Sequence, residues 1–457
     1  MLILGAWDLD GDPLCLRIDN GIIVEAAKSL TPNRDDYVVD ANGCTVIPGL
    51  HDHHVHLRAI AAALNSITVG PPDVTSEAAL AEAMEAATAG PTGWIRGIGF
   101  HESVTNNFDR HALDRLRNDV PVRVQHRSGA MWILNSAALD AIGESDHPDG
   151  KFFRLDDRMK AFAGIADNGL GEVSARLGAL GITGCTDATP SLSVEDLDYF
   201  DDEIHSGRFH QQLHVLVAPQ GEYRNMTFGP VKRILDDTDL DYASFSNWVT
   251  GVHASGRAVA VHCVTLAQLV LTIAVLDSVG VHPQDRIEHG AMSNPETTLE
   301  LARLGVLVVT QPSFIAERGD HYLTDVEASD HDHLWRVQTF INAGVKVAGS
   351  TDAPFCSLDP WMCMRAARDR TTPTGHILAP KECVSARVAL SMFLGRADNP
   401  ARLRTLTPGE PGNLCILDAS PVDVLDKLTA QHVRTTIVSG EVVFHRPHGF
   451  RSSSVTV

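Results

Sequence analysis

Two histidines separated by one residue, His54 and His56, are the part of this chain whose type and spacing most directly suggest chemistry. In a β-strand alternate side chains project from the same face, so the spacing predicts two imidazoles side by side. Asp52 is expected on that face, and His51 and His53 on the opposite one. Two neutral imidazoles on one strand can provide two ligands for a transition-metal ion.

Three further residues of metal-ligand type occur at the ends of predicted strands. His262 closes the apolar strand 258–262, His289 closes the strand 285–289, and Asp352 follows the last strand. Each of them alone is more often a hydrogen-bonded core residue. Several imidazoles and a carboxylate at the same ends of neighbouring strands instead predict a site for zinc or a similar divalent ion, with positions left for water.

The elements that would position these residues follow a repeated order of amphipathic helix, glycine and apolar strand. One such helix is predicted to begin at Asn294-Pro295 and to end at Gly305, because Asn caps helices and Gly adopts the left-handed conformation that ends them. Helices alternating with buried strands predict a parallel sheet, and about eight repeats predict a (β/α)8 TIM barrel. The candidate strands are 46–56, 121–126, 182–187, 212–217, 230–235, 258–262, 285–289, 306–311 and 345–350.

The chain is predicted to divide into a barrel and a small terminal β domain. Residues 48–404 are assigned to the barrel, with an insertion at about 58–165 that carries the extra strand 121–126. Residues 1–47 and 409–457 contain short β-like segments with turn signals, including a predicted hairpin at Ser439-Gly440. We expect both termini to form one β-sandwich-like domain.

Composition restricts the possible partners. The chain has 457 residues and a formal net charge of −21 at pH 7, which argues against nucleic-acid or anionic membrane partners. The first residues lack a basic segment typical of a signal peptide, and no apolar run approaches the length of a membrane span. The eight cysteines are scattered, which favours reduced thiols and a cytoplasmic protein with a small-molecule substrate. A homo-oligomer remains open.

Taken in order, these motifs resemble the amidohydrolase superfamily over nearly the whole chain, and most closely its YtcJ-like branch (amidohydrolase type 3). The superfamily resemblance lies in Pro48-Gly49-Leu50, His54-Val-His56, His262, Ile287-Glu-His289, Gly349-Ser-Thr-Asp352-Ala-Pro354 and Gly409 to Asp418. The branch resemblance lies in Gly93 to Glu102, Ser128 to Leu139, and Leu301 to Pro312.

The resemblance implies a centre of two divalent ions, expected to be zinc, with manganese, iron or cobalt as alternatives. Relatives bridge the two ions with a carboxylated lysine on the fourth strand, and the matching residue here is Lys232. Cys185, at the end of the second strand, is the alternative bridge. The implied ligands are His54, His56, Lys232, His262, His289 and Asp352.

The expected function is hydrolysis of an amide-like C–N bond in an N-acyl or N-formyl amine, a cyclic amide or a carbamate, by metal-activated hydroxide. Asp352, Lys232 and His289 are the expected catalytic residues, with Asp352 as the base. A deaminase with one metal ion is the first alternative. It is disfavoured because no acidic residue follows His262 within the next six residues. A non-catalytic scaffold would be expected to lose ligands.

Substrate contacts are expected from the insertion, where Glu102, His126 and Trp132 are the candidates. One residue departs from the branch pattern, since Ala130 occupies a position where relatives commonly have histidine. This removes a potential hydrogen-bond donor to the substrate, so the substrate contacts are expected to differ from those of relatives at this position.

Overall fold

The computed structural model of the protein describes residues 1–153, 169–219, 221–238 and 240–446. The chain forms two compact units. The first comprises Met1–His56, Val173–Asp352 and Cys356–Val457, and the second comprises Leu57–Glu172 with Ala353–Phe355.

Helices and strands alternate through most of the described chain. The α-helices span Leu57–Ala63, Glu77–Ala86, Arg110–Leu116, Ser136–Ala141, Gly171–Ala179, Val194–His205, Tyr242–Ala254, Leu266–Val279, Pro295–Leu304, Ser313–Asp325, Gln338–Asn342, Pro360–Asp369, Ala386–Ser391 and Pro421–Lys427. Short 3-10 helices span Ala328–His333, Pro380–Glu382 and Ala430–His432.

A sheet in the first unit is built from both ends of the chain. In spatial order its strands are Glu441–His445, Val433–Val438, Leu414–Leu417, Thr45–Pro48, Leu2–Trp7, Pro13–Asp19 and Ile22–Ala27, and Val38–Asp40 also pairs with Leu2–Trp7. Side chains from both ends, including Ile3, Val46 and Ile416, share one buried cluster. By hydrogen bonding this is a single sheet, and the predicted sandwich-like layering and domain boundaries stay predictions.

Local turn and cap residues act as the sequence indicates. Ser439 and Gly440 both have positive φ, 50° and 81°, as a two-residue type I′ hairpin requires. Asn294 caps the helix that starts at Pro295, and Gly305 ends it with a φ of 71°. The predicted hairpin and helix ends are confirmed.

Nine parallel strands form the remainder of the first unit's sheets. One sheet contains Leu50–Val55, Ile182–Asp187, Gln212–Val215 and Met226–Phe228, and the other contains Val231–Ile234, Val259–Cys263, Arg286–His289, Leu307–Thr310 and Val347–Gly349. Neighbours pair in parallel throughout both sheets. Val261, Ile287 and Val308 pack with helix residues such as Phe245 and Leu269 in one apolar cluster, so these side chains face the helices.

The predicted single strand 46–56 is wrong, because the structure divides it into two strands in different sheets. Thr45–Pro48 pairs antiparallel with Leu414–Leu417, whereas Leu50–Val55 pairs in parallel with Ile182–Asp187. Gly49 lies between them, and a Cβ atom there would come within 2.1 Å of the Thr183 side chain. The glycine therefore permits the close approach at which the chain passes from one sheet to the next.

The strand that carries Lys232 is interrupted at Gly229-Pro230. Proline has no amide hydrogen to donate to a ladder, so Met226–Phe228 and Val231–Ile234 are separate strands. The Gly229 amide donates to the Val215 carbonyl, and the Lys232 amide donates to the Leu216 carbonyl, both at 2.9 Å. Both halves therefore lie beside the same neighbouring segment and together occupy one strand position.

Hydrogen bonds also join the last parallel strand to the first. The Asp352 amide donates to the His54 carbonyl at 2.9 Å, and the Thr351 amide donates to Asp52 Oδ1 at 3.1 Å. These are contacts of the kind needed where a parallel barrel closes.

The second unit has its own sheet, in the order Lys151–Phe153, Met131–Leu134, Val122–His126, Ile95–Phe100 and Ile67–Thr68. Val122–His126 matches the extra strand that the sequence places in the insertion. The insertion boundaries themselves stay a prediction.

Asn135 is a fully buried residue of the second unit that satisfies four backbone groups. Its Oδ1 accepts from the amides of Val122 and Ala138, and its Nδ2 donates to the carbonyls of Arg117 and Val120, all at 2.9 Å. Asn135→Ala is expected to lower the free energy of unfolding of this unit by about 3 kcal/mol, because buried groups would lose their partners. Urea titration followed by hydrogen exchange in Val122–His126 measures the change.

The control is Ser76→Ala, which removes the N-cap of the helix Glu77–Ala86 at an exposed position. It is expected to cost about 1 kcal/mol. Equal losses in the two variants would contradict the role assigned to Asn135.

Within the described ranges, every helix is too short or too polar to cross a bilayer. All eight cysteines lie in these ranges, and all are free thiols.

Candidate metal centre

A β-bulge positions the two histidines of the His54-Val-His56 motif. Asp52 pairs with Cys185 and Val55 pairs with Asp187, so three steps along one strand match two along its neighbour. An extra residue of this kind interrupts the alternation of side chains. Even so, the expected pairs of rings stay together: the centroids of His54 and His56 are 5.3 Å apart, and those of His51 and His53 are 4.6 Å apart. Asp52 accepts a hydrogen bond from Thr351 Oγ1 at 2.6 Å.

His54 is buried at the centre of the candidate site. Its Nδ1 lies 2.5 Å from Glu288 Oε2, which leaves Nε2 for other groups. Nε2 is 3.1 Å from the Lys232 amine and 3.5 Å from Asp352 Oδ1. Burial lowers the pKa of His54 well below its ordinary value, so the ring is the neutral imidazole that a metal ion requires.

His56 and Asp352 complete a three-residue group with His54. His56 Nδ1 is 2.9 Å from Thr189 Oγ1, and His56 Nε2 is 3.3 Å from Asp352 Oδ1. One ligand atom from each of the three residues lies within 4.8 Å of the other two.

The chemistry of this group fits a metal ion. Asp352 Oδ1 is buried and has no hydrogen-bond partner among the described residues. Two ligands of one tetrahedral ion, each bonded at about 2.1 Å, are about 3.4 Å apart. The separations of Asp352 Oδ1 from the two imidazole nitrogens, 3.3 and 3.5 Å, match that spacing.

His289 is turned toward this group by its backbone. Ile287, two residues earlier, packs on the helix side of the strand, so regular alternation would point His289 the same way. His289 has a φ of 72°, in the left-handed region that non-glycine residues rarely adopt. Its ring centroid lies 4.9 Å from that of His54, and its Nδ1 is 2.7 Å from Gln311 Oε1.

His262 lies on the inward side of its strand, since it pairs with Glu288, whose carboxylate contacts His54. Its ring centroid is 4.5 Å from that of His289. The structure thus brings His262 and His289 together, next to His54. Whether all five predicted side chains bind metal stays a prediction.

Lys232 projects into the same site, and Cys185 is the other residue predicted as a possible bridge. Lys232 is 5% exposed, and burial lowers the pKa of its amine to about 8 from the usual 10.5. Cys185 is fully buried, and burial together with the carboxylates of Asp187 and Asp52 raises the pKa of its thiol well above the ordinary value. Lys232 contacts the candidate ligand His54 directly, and which of the two residues is the bridge stays a prediction.

The three candidate substrate residues belong to the second unit. His126 Nε2 is 3.0 Å from Glu102 Oε2, and His126 Nδ1 is 2.7 Å from Ser128 Oγ. Trp132 is 3% exposed, and the guanidinium groups of Arg96 and Arg123 lie over its ring. Trp132 is therefore a core residue of its unit, and substrate contact by Glu102 and His126 stays a prediction.

Several residues that hold the ligands are not identified by the sequence reasoning. Glu288, Thr189 and Gln311 each bind the second nitrogen of a candidate ligand histidine. Glu288 had a signal, because a charged residue next to His289 in a strand predicted to be buried needs a buried partner. Thr189 and Gln311 had no comparable signal, since neutral polar residues are common at strand ends.

Comparison with known proteins gives a consistent result. The amidohydrolase family model matches residues 37–444. An N-substituted formamide deformylase from Arthrobacter pascens is 26% identical, over 90% of this chain and 90% of its own. The putative amidohydrolase YtcJ from Bacillus subtilis is 22% identical, over 89% of this chain and 90% of its own.

Among solved structures, an uncharacterized metal-dependent hydrolase from Pyrococcus horikoshii has a TM-score of 0.77 and 18% identity. The match covers 95% of this chain and 99% of that one. At this level of identity the similarity shows a common fold.

Proposed function

Because the chain belongs to the amidohydrolase family, in its type 3 branch, we propose that it is a metal-dependent hydrolase that cleaves an amide-like C–N bond of a small molecule. The observation that carries the proposal is the approach of His54, His56 and Asp352 at ligand spacing. Within the part of the chain that the structure describes, the buried Asp352 Oδ1 has no hydrogen-bond partner. We also propose that the nine parallel strands form a closed (β/α)8 barrel, with Met226–Phe228 and Val231–Ile234 sharing one position.

A bound divalent ion would supply activated water at neutral pH and polarise the scissile carbonyl. His54, His56, His262, His289 and Asp352 would hold the ion or ions. Asp352 Oδ1 would accept a proton from the attacking water and return it to the leaving nitrogen. Glu288, Thr189 and Gln311 would orient three of the imidazoles. Burial lowers the pKa of His54 and of His289 well below the ordinary value, which keeps these two rings neutral.

Two ions require an anionic bridge, and we propose that Lys232 provides it as a carbamate. The neutral amine attacks CO₂ through its nitrogen lone pair, an N–C bond forms and one proton is released. The two carboxylate oxygens of the product can each face one ion. The position of the Lys232 amine, 3.1 Å from His54 Nε2, supports this assignment.

Carboxylation of Lys232 is expected to depend on pH in the metal-free protein. Burial lowers the pKa of this amine to about 8, so the reactive neutral form predominates above about pH 8 instead of above 10.5. ¹³C NMR with labelled CO₂, at constant dissolved CO₂, should show a carbamate signal that increases from pH 7 to 9. Lys232→Met should lack the signal, and a wild-type signal that is constant over this range would contradict the assignment.

For the substrate we propose an N-formyl or other N-acyl amine first, with cyclic amides and carbamates as further candidates. The support is the formamide deformylase that matches along most of both chains. The deaminase alternative is weaker. The first side chain after His262 with a carboxyl or amide group is Gln268, and its amide caps the helix Leu266–Val279.

The test is a substrate panel assayed with metal-free protein and with protein reloaded with zinc, manganese or cobalt. We expect C–N bond hydrolysis that is lost on chelation and restored by one of these ions, with about two ions bound per chain. One ion with ammonia release would indicate a deaminase, and no bound ion would exclude the proposed chemistry.

A further inference from the structure

A buried series of charged groups ends at His54. Arg286 Nε donates to Glu288 Oε1, and Glu288 Oε2 accepts from His54 Nδ1 at 2.5 Å. Arg286 also donates to the carbonyl of His53 at 2.8 Å. The three residues Arg286, Glu288 and His54 are at most 2% exposed, so water screens this series very little.

Two other candidate ligands have neutral hydrogen-bond partners at Nδ1. His56 Nδ1 faces the hydroxyl of Thr189 at 2.9 Å, and His289 Nδ1 faces the side-chain amide oxygen of Gln311 at 2.7 Å. The carboxylate of Asp352 is 4.0 Å from His289 Nδ1, whereas that of Glu288 is 2.5 Å from His54 Nδ1.

The carboxylate changes what His54 can do as a ligand. An imidazole N–H that donates to an anion has a more basic second nitrogen, which binds a metal ion more tightly. The Glu288 carboxylate is itself paired with the Arg286 guanidinium, and both side chains are at most 2% exposed, so the negative charge behind His54 is compensated within the protein.

The two halves of the proposed centre also differ in the number of protein ligands that they bring together. His54, His56 and Asp352 already provide three ligand atoms within 4.8 Å of one another. The other half has His262 and His289, and it needs the carbamate of Lys232 as its further protein ligand.

We infer that Glu288 is a positioning residue that makes the half formed by His54, His56 and Asp352 bind its ion first and more tightly. This inference rests on the proposed metal-dependent function. The Arg286–Glu288 pair fixes both the direction and the basicity of His54, and the second ion joins a centre that is already charged and ordered.

The experiment is a zinc titration of metal-free protein in competition with a chromophoric chelator, which resolves two stepwise dissociation constants. Glu288→Gln keeps the shape of the side chain and removes its charge. This substitution is expected to raise the smaller of the two dissociation constants by about 10–100-fold. The matched control is Gln311→Met, which removes the neutral partner of His289 and is expected to weaken mainly the second constant.

If the smaller zinc dissociation constant of Glu288→Gln equalled that of the wild-type protein, the inference would be overturned. The inference would also be overturned if Glu288→Gln and Gln311→Met raised the smaller dissociation constant equally. These results remain distinct from a failure of the proposed function, in which the wild-type protein would bind no zinc at all.

Because Glu288→Gln leaves the buried Arg286 guanidinium without its carboxylate, it could prevent folding. The double variant Arg286→Met/Glu288→Gln removes both charges together and avoids this problem. It should keep the wild-type circular dichroism spectrum and lose the tighter binding to the same degree. A folded double variant with wild-type zinc affinity would show that the charged pair does not determine the order of binding.

Discussion

Lys232→Ala is expected to bind one ion instead of two and to have its turnover rate lowered by more than about 10²-fold. Changing a residue that only contacts a metal ligand lowers activity by up to about that factor. Two divalent ions a few ångströms apart repel each other, and an anionic bridge offsets that repulsion. Alanine provides no bridge. In the wild-type protein, a Lys232 amine without the carboxyl group would instead add positive charge beside His54, because its nitrogen lies 3.1 Å from His54 Nε2.

Metal analysis and steady-state kinetics of the variant measure the two effects. Short carboxylic acids should partly restore both, because a free carboxylate can occupy the space of the missing bridge. Lys346→Ala is the control, since Lys346 is an exposed lysine on the same unit. Full metal content and wild-type turnover in Lys232→Ala would rule out the two-ion centre and favour a centre with one ion.

Asp352→Asn is expected to lower kcat by about 10²–10⁴-fold, the usual contribution of a general acid–base group. The amide has nearly the same shape as the carboxylate, but it cannot accept and return a proton. It would also replace a negatively charged ligand whose Oδ1 lies 3.3 Å from His56 Nε2. The affected quantity should be the chemical step, and single-turnover kinetics with saturating zinc would measure it.

The exposed residue Asp398 provides the control, because Asp398→Asn makes the same chemical change away from the site. If Asp352→Asn retained wild-type single-turnover rates with zinc bound, another group would have to be the base.

The sequence is a good guide where a local physical requirement determines the residue. Ser439-Gly440 predicts its hairpin because both positions need positive φ, and Gly305 predicts a helix end for the same reason. The ligand types at the ends of apolar strands predict a shared site, because parallel strands place those ends on one side of a sheet.

The remaining features depend on contacts between segments far apart in the chain. The division at Gly49 follows from pairing with Leu414–Leu417, and nothing within residues 46–56 encodes that partner. The bulge beside His54 is visible only through its pairing with Ile182–Asp187. Single-sequence periodicity cannot detect either one, because both are properties of a pair of strands.

The two-ended sheet has a consequence for the way the site is made during translation. His54 leaves the ribosome before Asp352, which belongs to the same candidate ligand group and lies about 300 residues later in the chain. The strand Thr45–Pro48, which leads directly into the histidine strand, receives its partner Leu414–Leu417 later still. Nascent chains fold from the N-terminus as they emerge, so these segments must wait for distant partners. The candidate site is therefore complete only after Asp352 has emerged from the ribosome.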